Sequence, residues 1–233
     1  MLLIHYPKSG STWLRFMLSE AAIGVPADFE SIADTFPPAG RHEQAPRVLA
    51  DGGRLVHTHE PPTAGTLSKP GVTVYLLRDC RDVIVSYFFH LQRRQRWDRT
   101  LSEFVELFLR LGPDHHGTWA SHVDRAFRAA DRGKPVCIVK YEELVADPSP
   151  TLRAVLDRIG LTSAHDLDTI VDRNSIAAMR SRATNPATNM DKSAFVRRGS
   201  PGDWQNHLSA VDHERIIEVA GPTLLRAGYA IDD

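Results

Sequence analysis

The sequence predicts an α/β fold: a parallel β-sheet of roughly four or five strands flanked by helices on both faces. Three observations lead there. Short apolar runs at residues 2–6, 72–77 and 136–140 are bounded by glycine and proline, the signature of strands buried in a parallel sheet. Between them lie stretches whose apolar residues recur at helical spacing. The chain has 233 residues and is 42% hydrophobic, enough for a full core, and we read residues 1–233 as a single domain.

Composition narrows the function. The 28 basic and 29 acidic residues leave a formal net charge of −1, without the basic excess that nucleic-acid-binding proteins usually carry. A strongly anionic ligand must therefore meet a local basic pocket rather than a positive surface. Two cysteines, Cys80 and Cys137, do not make a disulfide scaffold and fit a reducing compartment. No apolar run reaches the ~18 residues of a membrane span. Met1 runs straight into the first strand without a basic leader, so a cytoplasmic protein is expected.

The first strand, residues 2–6, stops at Pro7, and after Gly10 the residues Trp13, Leu14, Phe16, Met17, Leu18 and Ala21 follow helical spacing. A strand, a tight loop and a helix in that order aim free backbone N–H groups from the positive end of a helix dipole. This is an anion site, to which Lys8 adds a charge and Ser9, Ser11 and Thr12 add hydroxyls. The alternative is an ordinary strand–helix turn with a surface lysine, and no G-x-x-x-x-G-K-[ST] is present.

The first helix should end near Gly24. Residues 26–53 hold four prolines and little periodicity, an irregular excursion suited to shaping a pocket. A short strand at residues 54–60 is halted by Pro61 and Pro62, and strand period puts His57 and His59 on one face. Zinc needs a third ligand, and none stands at a telling spacing. The run at 72–77 leads through Arg78 into a helix carrying Ser86, which places Arg78 at a strand's carboxyl end, where open α/β sheets bind ligands. Residues 92–99 carry four arginines and Trp97, a solvated connection or the rim of an acceptor site. Helices are expected at 101–111 and 118–131, then a strand at 136–140. Pro150 opens a helix to Ile159, a broken helix covers 166–180, and residues 181–192 are polar and unpatterned, a candidate flexible cap. A last amphipathic helix spans 211–225.

Four segments resemble one family. Tyr6-Pro7-Lys8-Ser9-Gly10-Ser11-Thr12-Trp13 resembles Y-P-K-[SA]-G-[TN]-T-W, the 5′-phosphosulfate loop of sulfotransferases that use 3′-phosphoadenosine 5′-phosphosulfate (PAPS), and only Ser11 departs. His57-Thr58-His59-Glu60-Pro61 is similar to K-[TS]-H-x-P, whose histidine is the catalytic base; His59 takes that place, and His57 stands where relatives carry lysine. Arg78 to Phe88 resembles the 3′-phosphate motif R-[ND]-P-[KR]-D-x-x-x-S-x-[YF], with Cys80 in place of proline. Phe195-Val196-Arg197-Arg198-Gly199-Ser200-Pro201-Gly202-Asp203-Trp204 resembles R-[KR]-G-x-x-G-D-W, whose arginine pair clamps phosphate. Between them, Tyr141-Glu142-Glu143-Leu144 is similar to the segment whose tyrosine lies by adenine. Asn174-Ser175-Ile176 occupies the place of T-S-F.

The resemblance implies a P-loop, nucleotide-kinase-like sulfotransferase fold and an enzyme that moves a sulfuryl group from PAPS to a hydroxyl of a small-molecule acceptor, releasing 3′-phosphoadenosine 5′-phosphate (PAP). His59 and Lys8 would be catalytic, one taking the acceptor's proton and the other stabilising the leaving group. Lys8, Ser9, Gly10, Ser11, Thr12, Trp13, Arg78, Ser86, Tyr141, Ser175, Ile176, Phe195, Arg197, Arg198 and Gly199 would hold the nucleotide. Sulfuryl transfer is an in-line displacement that rests on positioning and charge, and no metal is expected. The rivals are a P-loop kinase-like phosphotransferase, which should carry G-K-[ST], and a non-catalytic PAP- or PAPS-binding protein, which need not keep His59 and Lys8. Relatives that dimerise through K-x-x-x-T-V-x-x-x-E after G-D-W have there what reads here as Gln205, Ser209, Ala210 and Glu214. We expect a monomer, or a dimer through another surface.

Overall fold

The computed structural model describes residues 1–68, 71–163, 165–185, 190–191 and 199–231. In chain order these form β1 (Leu2–His5), α1 (Ser11–Ile23), α2 (Ile32–Thr35), a 3₁₀ turn (Ala39–Gln44), β2 (Val56–Thr58), a second 3₁₀ turn (Thr66–Ser68), β3 (Thr73–Leu77) and α3 (Cys80–Arg93). There follow α4 (Leu101–Arg110), α5 (Trp119–Asp131), β4 (Val136–Lys140), α6 (Tyr141–Ala146), α7 (Pro148–Ile159), α8 (Leu167–Arg173) and α9 (Ile176–Ser181). The last elements are β5 (Thr184–Asn185), β6 (Met190–Asp191), a 3₁₀ turn (Asp203–Asn206) and α10 (Ala210–Arg226).

Four strands form a parallel sheet in the order β2-β1-β3-β4, with Ile4 paired between Thr58 and Tyr75. The chain leaves β1 toward β2 on one side and reaches β3 on the other, so the loops after β1 and β3 part above a crevice. That reversal is where such sheets bind ligands. Alternation along each strand feeds two cores. Leu3, Val74, Leu76 and Val139 pack under α1, α7 and α8, while Ile4, Tyr75, Leu77 and Ile138 pack under α3, α4, α5 and α10. Every residue of β3 is buried, as its unbroken apolar run requires.

Local chemistry sets the helix ends. Gly24 closes α1 in the left-handed conformation, φ 82°. Asp79 caps α3 by accepting the Arg81 N–H, and Thr100 with Glu103 forms a capping box on α4. The helix expected from Pro150 begins instead at Pro148, whose missing N–H costs nothing in a first turn. Residues 184–185 and 190–191, within the stretch read as unpatterned, pair as a small antiparallel hairpin whose strands are too short to show a period.

Candidate active site

The carboxyl ends of β1, β2 and β3 open into a cavity of about 370 Å³. One wall is the loop after β1. Lys8 has φ 73°, a left-handed conformation costly for a side-chain-bearing residue, and Gly10 follows at φ 87°. The turn is closed by the Ser9 N–H on the Tyr6 carbonyl at 3.3 Å, and Trp13 N–H donates to the Gly10 carbonyl at 3.1 Å to begin α1. A Cβ on Gly10 would lie 2.3 Å from the Tyr141 ring, so glycine is what lets β4 and α6 bring that ring onto the loop. The Tyr141 hydroxyl donates to the Gly199 carbonyl at 2.6 Å, and Ile176 closes against Gly199, where a Cβ would meet its Cδ1 at 2.7 Å.

Arg78 crosses beneath this wall. Its Nη1 donates to the Lys8 carbonyl at 3.3 Å, Nη2 lies 3.6 Å from Asp82, and the guanidinium sits 4.5 Å from the Tyr141 ring centre. The neighbouring Arg81 is spent on structure: it pairs with Asp79 at 2.8 Å and covers the Trp204 ring at 4.2 Å. Among the described residues, the buried Arg78 Nε, Ser9 Oγ and Trp13 Nε1 have no hydrogen-bond partner. Buried donors without partners are rare in folded proteins, and those of Arg78 and Trp13 belong to residues that line the cavity, where an anion-rich ligand would satisfy them.

Opposite stands His59. Its Nδ1 lies 3.3 Å from the His5 carbonyl oxygen, which can only accept, so Nδ1 carries the proton and the Nε2 lone pair is left for the cavity. The tautomer of His122 is fixed the same way. The Tyr75 hydroxyl donates to His122 Nδ1 at 2.7 Å, and His122 Nε2–H donates to the His59 carbonyl at 3.0 Å, holding the His59 backbone. The His5 ring stacks edge-on at 4.2 Å. Burial lowers the His59 pKa to about 4 and the His57 pKa to about 3, so both are neutral at pH 7.

The cavity thus brings together Lys8, Gly10, Ser11, Thr12, Trp13, His59, Arg78, Ser86, Tyr141, Ile176 and Gly199 of the residues the sequence singled out. Ser9 is buried under the loop, and the Ser175 hydroxyl caps α9 on the Ala178 N–H rather than lining the cavity. Phe195, Arg197 and Arg198 lie outside the described residues. Among the described residues the His57–His59 pair gathers no third metal ligand; the side chains whose ligand atoms do converge, within 4.8 Å, are Glu60, His115 and His116.

A family model, the sulfotransferase domain, matches residues 1–227. The chain belongs to that family. This sulfotransferase is 26% identical to Sulfotransferase 1A1 of Rattus norvegicus over 92% of its own length and 81% of the relative's. It is 27% identical to Cytosolic sulfotransferase 1 of Danio rerio, over 94% of this chain and 80% of that one. Mouse sulfotransferase SULT7A1, solved in complex with PAP, superposes with a TM-score of 0.74 at 22% identity, covering 96% of this chain and 83% of the other, and so shares the fold. The kinase-like phosphotransferase falls with these findings.

Sequence reasoning missed seven residues of this sulfotransferase's cavity: His5, Arg15, Tyr87, His90, Asp114, His116 and Met179. Tyr87 donates to Asp114, whose other oxygen accepts the His116 N–H at 2.9 Å. The signal available was a histidine closing a buried strand, at His5, and an Asp-His-His turn between two amphipathic helices. Neither reads as a site until the sheet sets them beside His59.

Proposed function

We propose that this sulfotransferase transfers the sulfuryl group of PAPS to a hydroxyl of a small-molecule acceptor and releases PAP, with His59 as general base and Lys8 stabilising the leaving group. The observation that carries it is the His59 Nε2 lone pair, fixed by the His5 carbonyl and turned to the cavity that the Lys8 loop walls. The family supports sulfuryl transfer, and the PAP named with the mouse structure supports the nucleotide.

The residues divide the work. Backbone N–H groups of the 8–12 loop at the α1 terminus, with Ser11 and Thr12, bind the 5′ end; Arg78 and Ser86 bind the 3′-phosphate; Trp13, Tyr141 and Ile176 enclose the adenine. Gly199 stands at that edge. PAPS supplies the activated sulfuryl group. His59 Nε2 takes the acceptor's proton as its oxygen attacks, and the Lys8 ammonium meets the charge that grows on the departing phosphate oxygen. No metal enters the reading. His57 keeps no catalytic role.

Among the described residues, no helix is long and apolar enough to cross a membrane. A cytoplasmic, single-domain enzyme is part of the proposal, as is a monomer or a dimer through a surface other than the segment after Trp204. There Ser209 is occupied in capping α10 on the Asp212 N–H. The test is turnover: PAPS with a hydroxyl acceptor panel and a chelator present should yield PAP and sulfated product. PAP release only on added metal, or none with any alcohol, would contradict it.

A further inference from the structure

Arg15 lines the cavity, and none of the motifs accounts for it. It projects from α1, one turn past the phosphosulfate loop, toward the end of the cavity where β1 and β2 finish. Its Nη2 donates to the Phe36 carbonyl at 2.6 Å and its guanidinium sits 5.5 Å from the Phe36 ring, whose centre is 6.2 Å from that of His57. Its Nε is buried with no partner, and among the described residues no carboxylate pairs with it. Two more buried nitrogens nearby have no partner either, His5 Nε2 and His57 Nδ1. A largely buried cation without a counter-charge is costly, and burial alone lowers the Arg15 pKa to about 10. The missing charge is one a ligand would bring.

We propose that the acceptor carries an anionic group, a carboxylate above all, that Arg15 binds beside His57 while the acceptor's hydroxyl faces His59. This deepens the sulfotransferase reading and rests on it. A guanidinium offers a planar fork that matches a carboxylate, and one of its edges is uncommitted. Asp114 bears on the orientation: its carboxylate also lines the cavity, holding Tyr87 and the His116 backbone, and repels an anion placed beside it.

The site gains a second effect from this arrangement. The groups facing His59 are His5, His57, His116 and His122, the cation Arg15 and the anion Asp114. After burial, the positive field of Arg15 is among the causes that weaken His59 as a base. An acceptor carboxylate on Arg15 offsets that field, so the base strengthens when the matching acceptor is bound.

The experiment uses the PAP-saturated protein and calorimetric titration with paired probes, 4-hydroxybenzoate against 4-hydroxybenzamide and glycolate against glycolamide. A charge-assisted fork should make the carboxylate member about 10- to 100-fold tighter. In Arg15→Gln the ratio should fall to about one, and in Arg15→Lys, which keeps the charge but not the fork, to an intermediate value. The melting temperature and PAP affinity of each variant establish that it is folded. A wild-type ratio of one or less, no carboxylate binding, or a ratio unchanged in Arg15→Gln would overturn the anion subsite. Equal weakening of both members would place Arg15 on the transferred group instead and overturn it as well. Failure of PAP itself to bind would strike the donor reading, which keeps the two failures distinct.

Discussion

The carboxylate of Asp82, on the first turn of α3, accepts the backbone N–H of Trp204 at 3.1 Å, across 122 positions of sequence. Its other oxygen takes the Gly202 N–H at 2.9 Å. Arg78, one turn back, lies 3.6 Å from the same carboxylate. Asp82 thus fastens the G-D-W turn to α3. Asp82 is a structural tie between α3 and the turn before α10, and Arg81 stacking on Trp204 closes the joint.

Replacing Asp82 with Ala should leave the buried Trp204 N–H and the half-buried Gly202 N–H without acceptors and Arg78 without its carboxylate partner. At roughly 1–3 kcal/mol for each unsatisfied group, we expect a loss of about 2–4 kcal/mol. Thermal unfolding reads it directly. A melting temperature within a degree of wild type would show that water replaces the carboxylate and that the tie is dispensable.

Much of this was legible in the sequence, and the reason is range. The loop at 6–13, the strand before His59 and the strand before Arg78 are each specified within about ten residues, by an apolar run, a breaker and a helical stripe. What was not legible depends on neighbours from elsewhere in the chain. His5 is an ordinary strand residue until β2 brings His59 to 4.2 Å, and Arg15 is an ordinary helix residue until the 36–57 region buries it. The place of Ser175 in the segment that stands for T-S-F implies a nucleotide contact, while its hydroxyl has the local task of capping α9, a competition that serine decides in favour of the nearest free N–H.

Arg78 should distinguish PAPS from adenosine 5′-phosphosulfate, which lacks the 3′-phosphate. A site built for that phosphate leaves buried donors unpaired when it is missing. Arg78→Ala should weaken PAPS by about tenfold or more and the truncated donor little. Competition binding against PAP measures both, and equal losses would assign Arg78 to the shared 5′ end or to the fold.

Acid should destabilise the protein early. His5 and His122 are buried and His57 and His59 half-buried, all neutral, each with its pKa lowered chiefly by desolvation, to about 3 for His57 and about 4 for His59 and His122. The unfolded chain binds protons at these positions below its ordinary pKa of about 6.5, while the folded chain does not until far lower pH. Their contribution is therefore complete above pH 6.5 and is lost as pH falls from 6.5 toward 4, on the order of 1 kcal/mol per histidine per pH unit. Urea midpoints between pH 7.5 and 4.5 should fall steeply below 6.5, and less so in His122→Gln. A flat profile would mean that the histidines titrate in the fold.

The central claim is that His59 is a base and not a binding residue, and a single pair of measurements on His59→Ala tests it: kcat for sulfated product and the Kd of PAP. A general base contributes ~10²–10⁴-fold, so kcat should fall by that factor while the PAP Kd stays within about twofold of wild type. A kcat near the wild-type value, or PAP affinity lost in a variant that still folds, would contradict the account.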